Sequence, residues 1–302
     1  MRSSGTARSS RASTAVASGA LALLAIIWGY NWVVMKVSLR FSEPLTFAVL
    51  RTLPGAAALF AALIVLRRPL RPPAIGLTTI VGLLQTTGFV CLSLWALESG
   101  GAGKIAVLTF TMPFWLLVIA WLFLGEGLRG SEWCATSMAL VGFLLILRPW
   151  ELRGLTTTLL AVAGGLLWAI GSALVKVIQR RHHDVDVLSL AAWQMILGSP
   201  PLLVIALFTS AGSPVWSGAF IWSLVFNIVA VTALGWYLWL FILRAMPAGM
   251  AGLSTLAIPV IGAASAWIQL GERPAGAELA GVIIIFAALA VVTARGLDRR
   301  RC

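Results

Sequence analysis

Charged residues are scarce in this chain: they make up 11% of its 302 residues, whereas soluble domains carry about 25%. The hydrophobic fraction is 60% and the mean hydropathy is +0.98. This balance excludes a soluble enzyme, a nucleic-acid-binding module and a disordered scaffold, because so much apolar surface must be solvated by lipid. We therefore predict an all-α integral membrane protein that is embedded in the lipid bilayer and does not bind nucleic acid.

Groups that carry enzyme chemistry are equally scarce. The three cysteines, Cys91, Cys134 and Cys302, have no metal-site or redox spacing. The two histidines, His182 and His183, are adjacent loop residues with poor ligand geometry. The sequence contains no paired acids, phosphate-binding loop or nucleophile constellation. We therefore expect no enzyme activity, no metal site and no cofactor.

Ten apolar runs are long enough, or nearly so, to cross a bilayer as helices. They cover residues 17–37, 45–66, 75–97, 105–124, 131–147, 155–178, 187–208, 220–243, 248–270 and 277–293. The polar, Ser- and Arg-rich segment 1–16 is expected to be a disordered cytoplasmic N-terminus. Two five-helix repeats, 17–150 and 151–296, are expected to follow, with a basic cytoplasmic tail at 297–302.

Lysine and arginine collect on one side of the predicted spans. With the N-terminus inside, 14 of them lie on inner segments and 4 on outer loops. Cytoplasmic loops of membrane proteins carry the excess of these residues. We therefore predict that both termini are cytoplasmic and that the protein crosses the cell membrane many times.

The chain repeats itself. Between residues 102–132 and 248–278, eleven of 31 positions are identical at an offset of 146, where composition alone would give roughly three. The identical pairs include Thr109/Thr255, Pro113/Pro259 and Glu126/Glu272, and at an offset of 140 also Trp28/Trp168 and Lys36/Lys176. Because each half holds five spans, an odd number, the second half is predicted to be inverted, which is an architecture of alternating-access transporters.

Several motifs of the chain are similar to those of a known family. They are WGYNWVVMKV at 28–37, PLTFAVLRTLPGAAALF at 44–60, and a pattern from Ala102 through Pro113 to LGE at 124–126, which recurs as Pro259 and LGE at 270–272. Over about residues 17–295 the two halves resemble the paired EamA domains of the drug/metabolite transporter superfamily. The resemblance implies a ten-helix inner-membrane carrier that exports small metabolites, and the Trp-rich composition is most similar to that of amino-acid exporters, including aromatic amino-acid exporters.

Cations inside the spans are the first candidates for substrate binding, because intramembrane charges are costly and need a reason. Arg51, Lys36 and Lys104 are expected on one side of the bilayer, where they could attract a substrate carboxylate. The alternative is structural: the lysines extend outward to the interface, and Arg51 pairs with Glu43 or Glu98.

Uncharged polar residues near span centres are the second set of candidates, and either substrate binding or an interhelical hydrogen bond would explain them. They are Asn31, Gln85, Ser172, Gln194 and Asn227. Thr109 and Thr255 precede the predicted hinges at Pro113 and Pro259, where they could contact substrate or satisfy a carbonyl freed by the proline.

We expect a central cavity between spans 1, 3 and 4 and spans 6, 8 and 9, with Trp28 and Trp168 either lining it or packing between helices. The leading hypothesis is a monomeric secondary carrier that exports amino acids, including aromatic or other apolar ones, and similar small metabolites. Alternatives are a sugar-phosphate or nucleotide-sugar exchanger, a drug exporter of the same superfamily, a passive channel, and an integral membrane enzyme.

Overall fold

The structure, a computed structural model, describes residues 3–127, 131–147, 154–209, 212–273, 276–277, 279–285 and 287–288. Within them the regular secondary structure is helical throughout. The helices are α1 (Ser3–Ser38), α2 (Pro44–Val65), α3 (Ile75–Ser99), α4 (Ala102–Leu124), α5 (Ser131–Leu147), α6 (Leu155–Arg181), α7 (Val187–Thr209), α8 (Gly218–Ala245) and α9 (Ala248–Leu270). Residues 276–277, 279–285 and 287–288 are helical as well.

Eight of these helices, all except α5, are long and apolar enough to cross a membrane. They agree with the predicted spans to within a few residues. Helix α5 has 17 residues and coincides with the fifth predicted span, whereas part of the tenth, 277–293, lies outside the described residues. The backbone of residues 3–16 is helical where we expected disorder; this segment contains no proline, and extending an existing helix costs far less than starting one.

The two halves pack around a pseudo-two-fold axis. Helix α1 packs on α9 just as α6 packs on α4, and α2 packs on α8 just as α7 packs on α3. Glu272, just after α9, hydrogen-bonds the first amides of α4, while Glu126, just after α4, hydrogen-bonds the first amides of α9. Since the equivalent helices α4 and α9 therefore run antiparallel, the second half is inverted relative to the first.

Helices α4 and α9 are interrupted at equivalent places. The α-helical geometry of α4 stops after Thr109 and resumes at Met112, and that of α9 stops after Ser254 and resumes at Ala257. Each break lies just before a proline, Pro113 or Pro259, because proline favours the start of a helix and cannot continue one. The sequence pattern predicts interruptions at these two places.

Two further irregularities give no signal in the sequence. Residues Gly82–Gly88 of α3 and Asn227–Gly235 of α8 form π-helical turns. They occupy equivalent positions in the two halves. Such turns are rare and occur often at functional sites, since they widen the helix and change which residues face a neighbour.

Helices α3 and α7 approach so closely that glycine is required at their crossing. A Cβ atom on Gly82 would lie 2.5 Å from the Gln194 carbonyl oxygen and 2.8 Å from the Gly198 amide nitrogen. Both neighbours are backbone atoms, which cannot turn aside as a flexible side chain does.

We expect Gly82→Ala to destabilise the protein by about 1–3 kcal/mol, the usual cost of overpacking. Gly76→Ala, in the same helix, is the matched control: its Cβ would meet nothing within 4 Å, and alanine is favoured over glycine in helices by about 0.5–1 kcal/mol. Thermal unfolding in detergent measures both. Equal midpoints for the two variants would contradict the close packing of α3 on α7.

Candidate functional site

A cavity of about 50 Å³ lies between the two halves. Helices α1 to α4 line it from the first half, and α6 and α8 line it from the second. The lining residues are Trp28, Asn31, Trp32, Met35, Arg51, Phe89, Val90, Ser93, Phe110, Trp168, Val231 and Trp236. Compared with the expected arrangement, α2 contributes a residue and α9 contributes none.

Aromatic rings form a layer at one end of this cavity. The layer consists of Trp28, Phe89, Phe110, Trp168, Trp236 and Trp239, and we call it the aromatic layer. Trp168 lies at its centre, with ring centroids 5.1 Å from Phe89, 5.3 Å from Phe110, 5.4 Å from Trp28, 5.6 Å from Trp239 and 6.4 Å from Trp236. The rings meet at tilted or edge-on angles, which suit their quadrupoles.

The repeat-related tryptophans of the layer differ in their hydrogen bonds. The indole Nε1 of Trp28 donates to the Val231 carbonyl at 3.2 Å, inside the π-helical segment of α8. The indole Nε1 of Trp168 is buried and has no partner in the described part of the chain. Of these two repeat-related indole N–H groups, one is therefore already used and the other is available.

Arg51 is the cation of the cavity, and its side chain is almost wholly buried, at 7% exposed. Its Nη1 donates to Asn227 Oδ1 at 3.0 Å and contacts Met35 Sδ at 3.5 Å. Its guanidinium carbon lies 5.7 Å from the centroid of the Phe47 ring. Asn227 was a candidate for substrate contact. It instead holds the Arg51 side chain in place and is not among the residues that line the cavity.

Arg51 forms no ion pair within the described residues. The interpretation in which Glu43 or Glu98 neutralises it is therefore wrong for this structure. Glu43 Oε1 instead accepts a hydrogen bond from the Gly212 amide at 3.0 Å. Because a buried charge is costly without a counter-ion, an anion that enters the cavity would find a prepared partner.

Four buried polar atoms of the cavity lining lack a hydrogen-bond partner among the described residues. They are Asn31 Oδ1, Arg51 Nε, Ser93 Oγ and Trp168 Nε1. More than about 90% of buried polar groups in proteins are hydrogen-bonded. These four atoms leave the cavity with hydrogen-bonding capacity that no described residue uses.

The other polar candidates lie away from the cavity lining. Gln85 Nε2 donates to Ser172 Oγ at 3.0 Å and to the Trp168 carbonyl at 3.1 Å, so this pair ties α3 to α6 behind the aromatic layer. Gln194 is fully buried in α7, and neither polar atom of its amide group has a partner in the described part of the chain. Lys104 lies in the first turn of α4.

The two threonines before the prolines are also buried away from the cavity. Thr255 Oγ1 donates to the Gly252 carbonyl at 2.7 Å. In the first half the equivalent Thr109 Oγ1 has no partner within the described residues, and a bond of 3.1 Å joins Thr111 Oγ1 to the Leu108 carbonyl instead.

Some lining residues that we did not predict carry a signal in the sequence. Trp32 and Met35 lie on the same face of α1 as Trp28 and Asn31, at the spacing i, i+3, i+4, i+7. Val231 carries no such signal, because the π-helical turn of α8 shifts the residues that face the cavity. Trp236 lies well inside the eighth predicted span, where a tryptophan either lines a cavity or packs against other helices.

Comparisons with known proteins match both halves to one family. The EamA-like transporter family matches residues 17–148 and again 155–294. An uncharacterized transporter from Bacillus subtilis (strain 168) is 30% identical over 91% of this chain and 90% of its own length. A probable amino-acid metabolite efflux pump from Salmonella typhimurium is 28% identical over 90% of this chain and 93% of its own.

More distant matches point to the same architecture. A riboflavin transporter from Rhizobium johnstonii is 27% identical over 70% of each chain. A protein of known crystal structure is 20% identical, with a TM-score of 0.72, over 94% of this chain and 98% of its own. At that identity the structural match supports the fold alone.

Proposed function

The chain belongs to the EamA-like transporter family, and from this premise we propose that it is a secondary carrier that exports amino acids with apolar or aromatic side chains, together with similar small metabolites. The family and the names of its relatives indicate a multi-pass membrane transporter and not an enzyme. The substrate would cross by alternating access through the central cavity, between two inverted halves.

The observation that carries this proposal is the set of four unpartnered atoms in the cavity lining. Arg51 Nε and Trp168 Nε1 are N–H donors, which suit a carboxylate. Asn31 Oδ1 and Ser93 Oγ are oxygen acceptors, which suit an ammonium group. Two donors and two acceptors around one apolar cavity match the two ends of a zwitterion.

The aromatic layer supports the second part of the proposal. Its rings offer a dry, polarisable wall for an apolar or aromatic side chain. The cavity, at about 50 Å³, is far smaller than the roughly 300–1,000 Å³ of typical ligand pockets. We infer that this conformation is nearly closed around the binding site and that the halves separate further when substrate enters.

Three finer features of the architecture are also proposals. The sequence supports ten spans, with both termini in the cytoplasm on the 14 to 4 distribution of Lys and Arg. The proposed domains are a cytoplasmic segment 1–16, repeats 17–150 and 151–296, and a basic tail 297–302. Because the described residues of one chain line the cavity from both halves, we propose that the protein functions as a monomer.

Other substrates of the superfamily fit this cavity less well. Sugar-phosphate and nucleotide-sugar exchange would need several cations at the site, and Arg51 is the one cation among the described lining residues. A cationic drug would meet that same buried positive charge. Riboflavin, the substrate in the name of one relative, lacks both the carboxylate and the ammonium group that the four atoms suit.

Counterflow in proteoliposomes tests the proposal, since a carrier shows trans-stimulation and a passive channel does not. We expect phenylalanine and leucine to drive counterflow, while phenylpropionate, phenethylamine, riboflavin, a sugar phosphate and a quaternary amine each drive it at least about tenfold less, since losing one charge-assisted contact costs about 1.5–3 kcal/mol. Counterflow by riboflavin or the sugar phosphate at the rate of phenylalanine would refute the proposed substrate class.

Asn31→Leu is expected to narrow the gap between phenylalanine and phenylpropionate by about tenfold, because the variant keeps the volume of the side chain but removes the acceptor for the ammonium group. The ratio of the two KM values measures this effect. Leu23→Ala, at an exposed position of the same helix, is the control and should leave the ratio unchanged.

A further inference from the structure

Each half of the protein holds the other through a glutamate at the end of a helix. Glu272 Oε1 and Oε2 accept hydrogen bonds from the amides of Ala102 and Gly103, each at 3.1 Å. Glu126 Oε2 accepts hydrogen bonds from the amides of Ala248 at 2.7 Å and Gly249 at 3.4 Å. A carboxylate at a helix N-terminus is favoured by both the free amides and the helix dipole.

Two repeat-related lysines, Lys36 and Lys176, form hydrogen bonds near the same two glutamate contacts. Lys36 Nζ donates to the carbonyls of Leu97 at 2.7 Å and Gly100 at 2.8 Å, at the end of α3. Lys176 Nζ donates to the carbonyls of Leu243 and Met246, the latter at 2.7 Å, at the end of α8. These acceptors correspond at the offset of 146 residues, so the two ends of the molecule are built alike.

At one end of the molecule only, an arginine also pairs with the glutamate. Arg180 forms an ion pair with Glu126, and its Nη1 also donates to the Leu124 carbonyl at 2.7 Å. Its counterpart at the offset of 140 is Arg40. Arg40 is exposed and forms no ion pair or side-chain hydrogen bond within the described residues, although it and Glu272 are both electrostatic neighbours of Lys36.

The central cavity is displaced toward the end that lacks this ion pair. Met35 and Ser93, which line the cavity, lie close in sequence to Lys36 and Leu97 at the Glu272 end. At the other end, a separate polar depression of about 370 Å³ is lined by Glu126, Lys176 and Arg180, among others. Trp239 of the aromatic layer contacts Trp168 and lies one helical turn before Leu243, so the layer lies on the Glu126 side of the central cavity, and we infer that this end is the closed one.

We propose that Glu126 with Arg180 and Glu272 with Arg40 are two alternating latches. In this conformation the Glu126 latch is closed and the Glu272 latch is open. In the opposite conformation Arg40 pairs with Glu272, and Arg180 releases Glu126. The inference rests on the alternating access of the proposed function, and it assigns positioning roles to residues that do not touch the substrate.

Thiol labelling tests this without any substrate. In a variant whose native cysteines are replaced, Ser93→Cys places one reporter in the cavity, and a membrane-impermeant maleimide is added to either face of oriented proteoliposomes. We expect Arg180→Ala to raise labelling from the Glu126 face about 2- to 5-fold, because a largely exposed ion pair is worth enough to shift a two-state equilibrium by about that factor. Arg40→Ala should change labelling in the opposite direction, lowering it from the Glu126 face.

Matched variants separate a latch from a merely structural contact. Arg181→Ala removes an exposed neighbouring arginine and should leave labelling at both faces unchanged. Arg180→Lys retains the charge and should largely restore the labelling pattern. Should Arg180→Ala fail to fold, Glu126→Gln, which keeps the cap but removes the charge, gives the same reading.

The two arginine variants decide the proposal. The proposal is supported if Arg180→Ala and Arg40→Ala change labelling from the Glu126 face in opposite directions. It is overturned if both change labelling in the same direction, or if Arg180→Ala changes labelling and Arg40→Ala does not. Because labelling requires no substrate, a failed amino-acid panel with opposite labelling shifts would refute the substrate class and leave the latches standing.

Discussion

Arg51→Met is expected to reduce amino-acid counterflow about 10- to 100-fold, because the charge-assisted hydrogen bond from Arg51 Nε to the substrate carboxylate, worth about 1.5–3 kcal/mol, is lost together with the positive charge. The substitution removes every donor of the guanidinium and roughly preserves its length. Arg51 is the appropriate target because Arg51 Nε points into the cavity unpartnered while Nη1 is held by Asn227.

The same substitution should leave the thermal unfolding midpoint unchanged or raise it. Replacing a buried charge by an apolar residue of similar size is often neutral or stabilising. The described residues contain no acid paired with Arg51, so the variant orphans only the amide oxygen of Asn227. A residue that served the fold alone would give the reverse pattern, with lower stability and equal loss for every substrate.

Arg51→Lys is the informative companion variant. It keeps the positive charge but loses the planar fork of donors, so it should retain partial counterflow with a raised KM. If Arg51→Met transports phenylalanine as well as the wild type does, the carboxylate is bound elsewhere and the role assigned to Arg51 is wrong.

The fold could be predicted closely from the sequence because a long apolar run is a strong indication of a membrane-spanning helix. The eight described membrane helices lie within a few residues of the predicted spans. The repeated LGE and proline positions predicted the repeat, and the odd number of spans in each half predicted its inversion. The π-helical turns at Gly82–Gly88 and Asn227–Gly235 could not be predicted. A shift from i+4 to i+5 hydrogen bonding depends on packing between helices, which leaves no fixed pattern of residues.

The site was harder to predict because these helices are apolar on the side that faces lipid as well as on the side that faces the protein. In a soluble protein the polar face marks the outside, but in these helices a polar residue points either to a cavity or to another helix. Gln85 and Asn31 have equal claims from sequence, yet Gln85 bonds to Ser172 and Asn31 lines the cavity. The repeat relation of Trp28 and Trp168 was the more reliable guide, since the pseudo-two-fold axis passes between equivalent residues.

Trp168→Ala is expected to abolish measurable amino-acid transport and to lower the free energy of unfolding by about 3–5 kcal/mol, the cost of deleting a buried tryptophan side chain. Trp168 is 1% exposed and contacts five other rings of the aromatic layer. Its loss opens the wall between the cavity and the Glu126 end. Because stability and transport both fall, this variant alone does not separate the packing of the ring from the function of its N–H.

Trp168→Phe separates them. Phenylalanine keeps an aromatic ring in the layer but removes the indole N–H, which is unpartnered in the described part of the chain, together with part of the ring. We expect the KM for phenylalanine to rise about tenfold, equivalent to one hydrogen bond to a charged group. The unfolding midpoint should fall much less than in Trp168→Ala, since most of the ring contacts remain.

Trp239→Phe is the matched control. Trp239 is fully buried in the same aromatic layer, but its Nε1 already donates to Ser172 Oγ at 3.3 Å, and it does not line the cavity. Its replacement should lower stability slightly and leave the KM unchanged. An equal rise in KM for Trp168→Phe and Trp239→Phe would mean that ring packing alone sets affinity, and the Trp168 N–H would then have no role in binding the carboxylate.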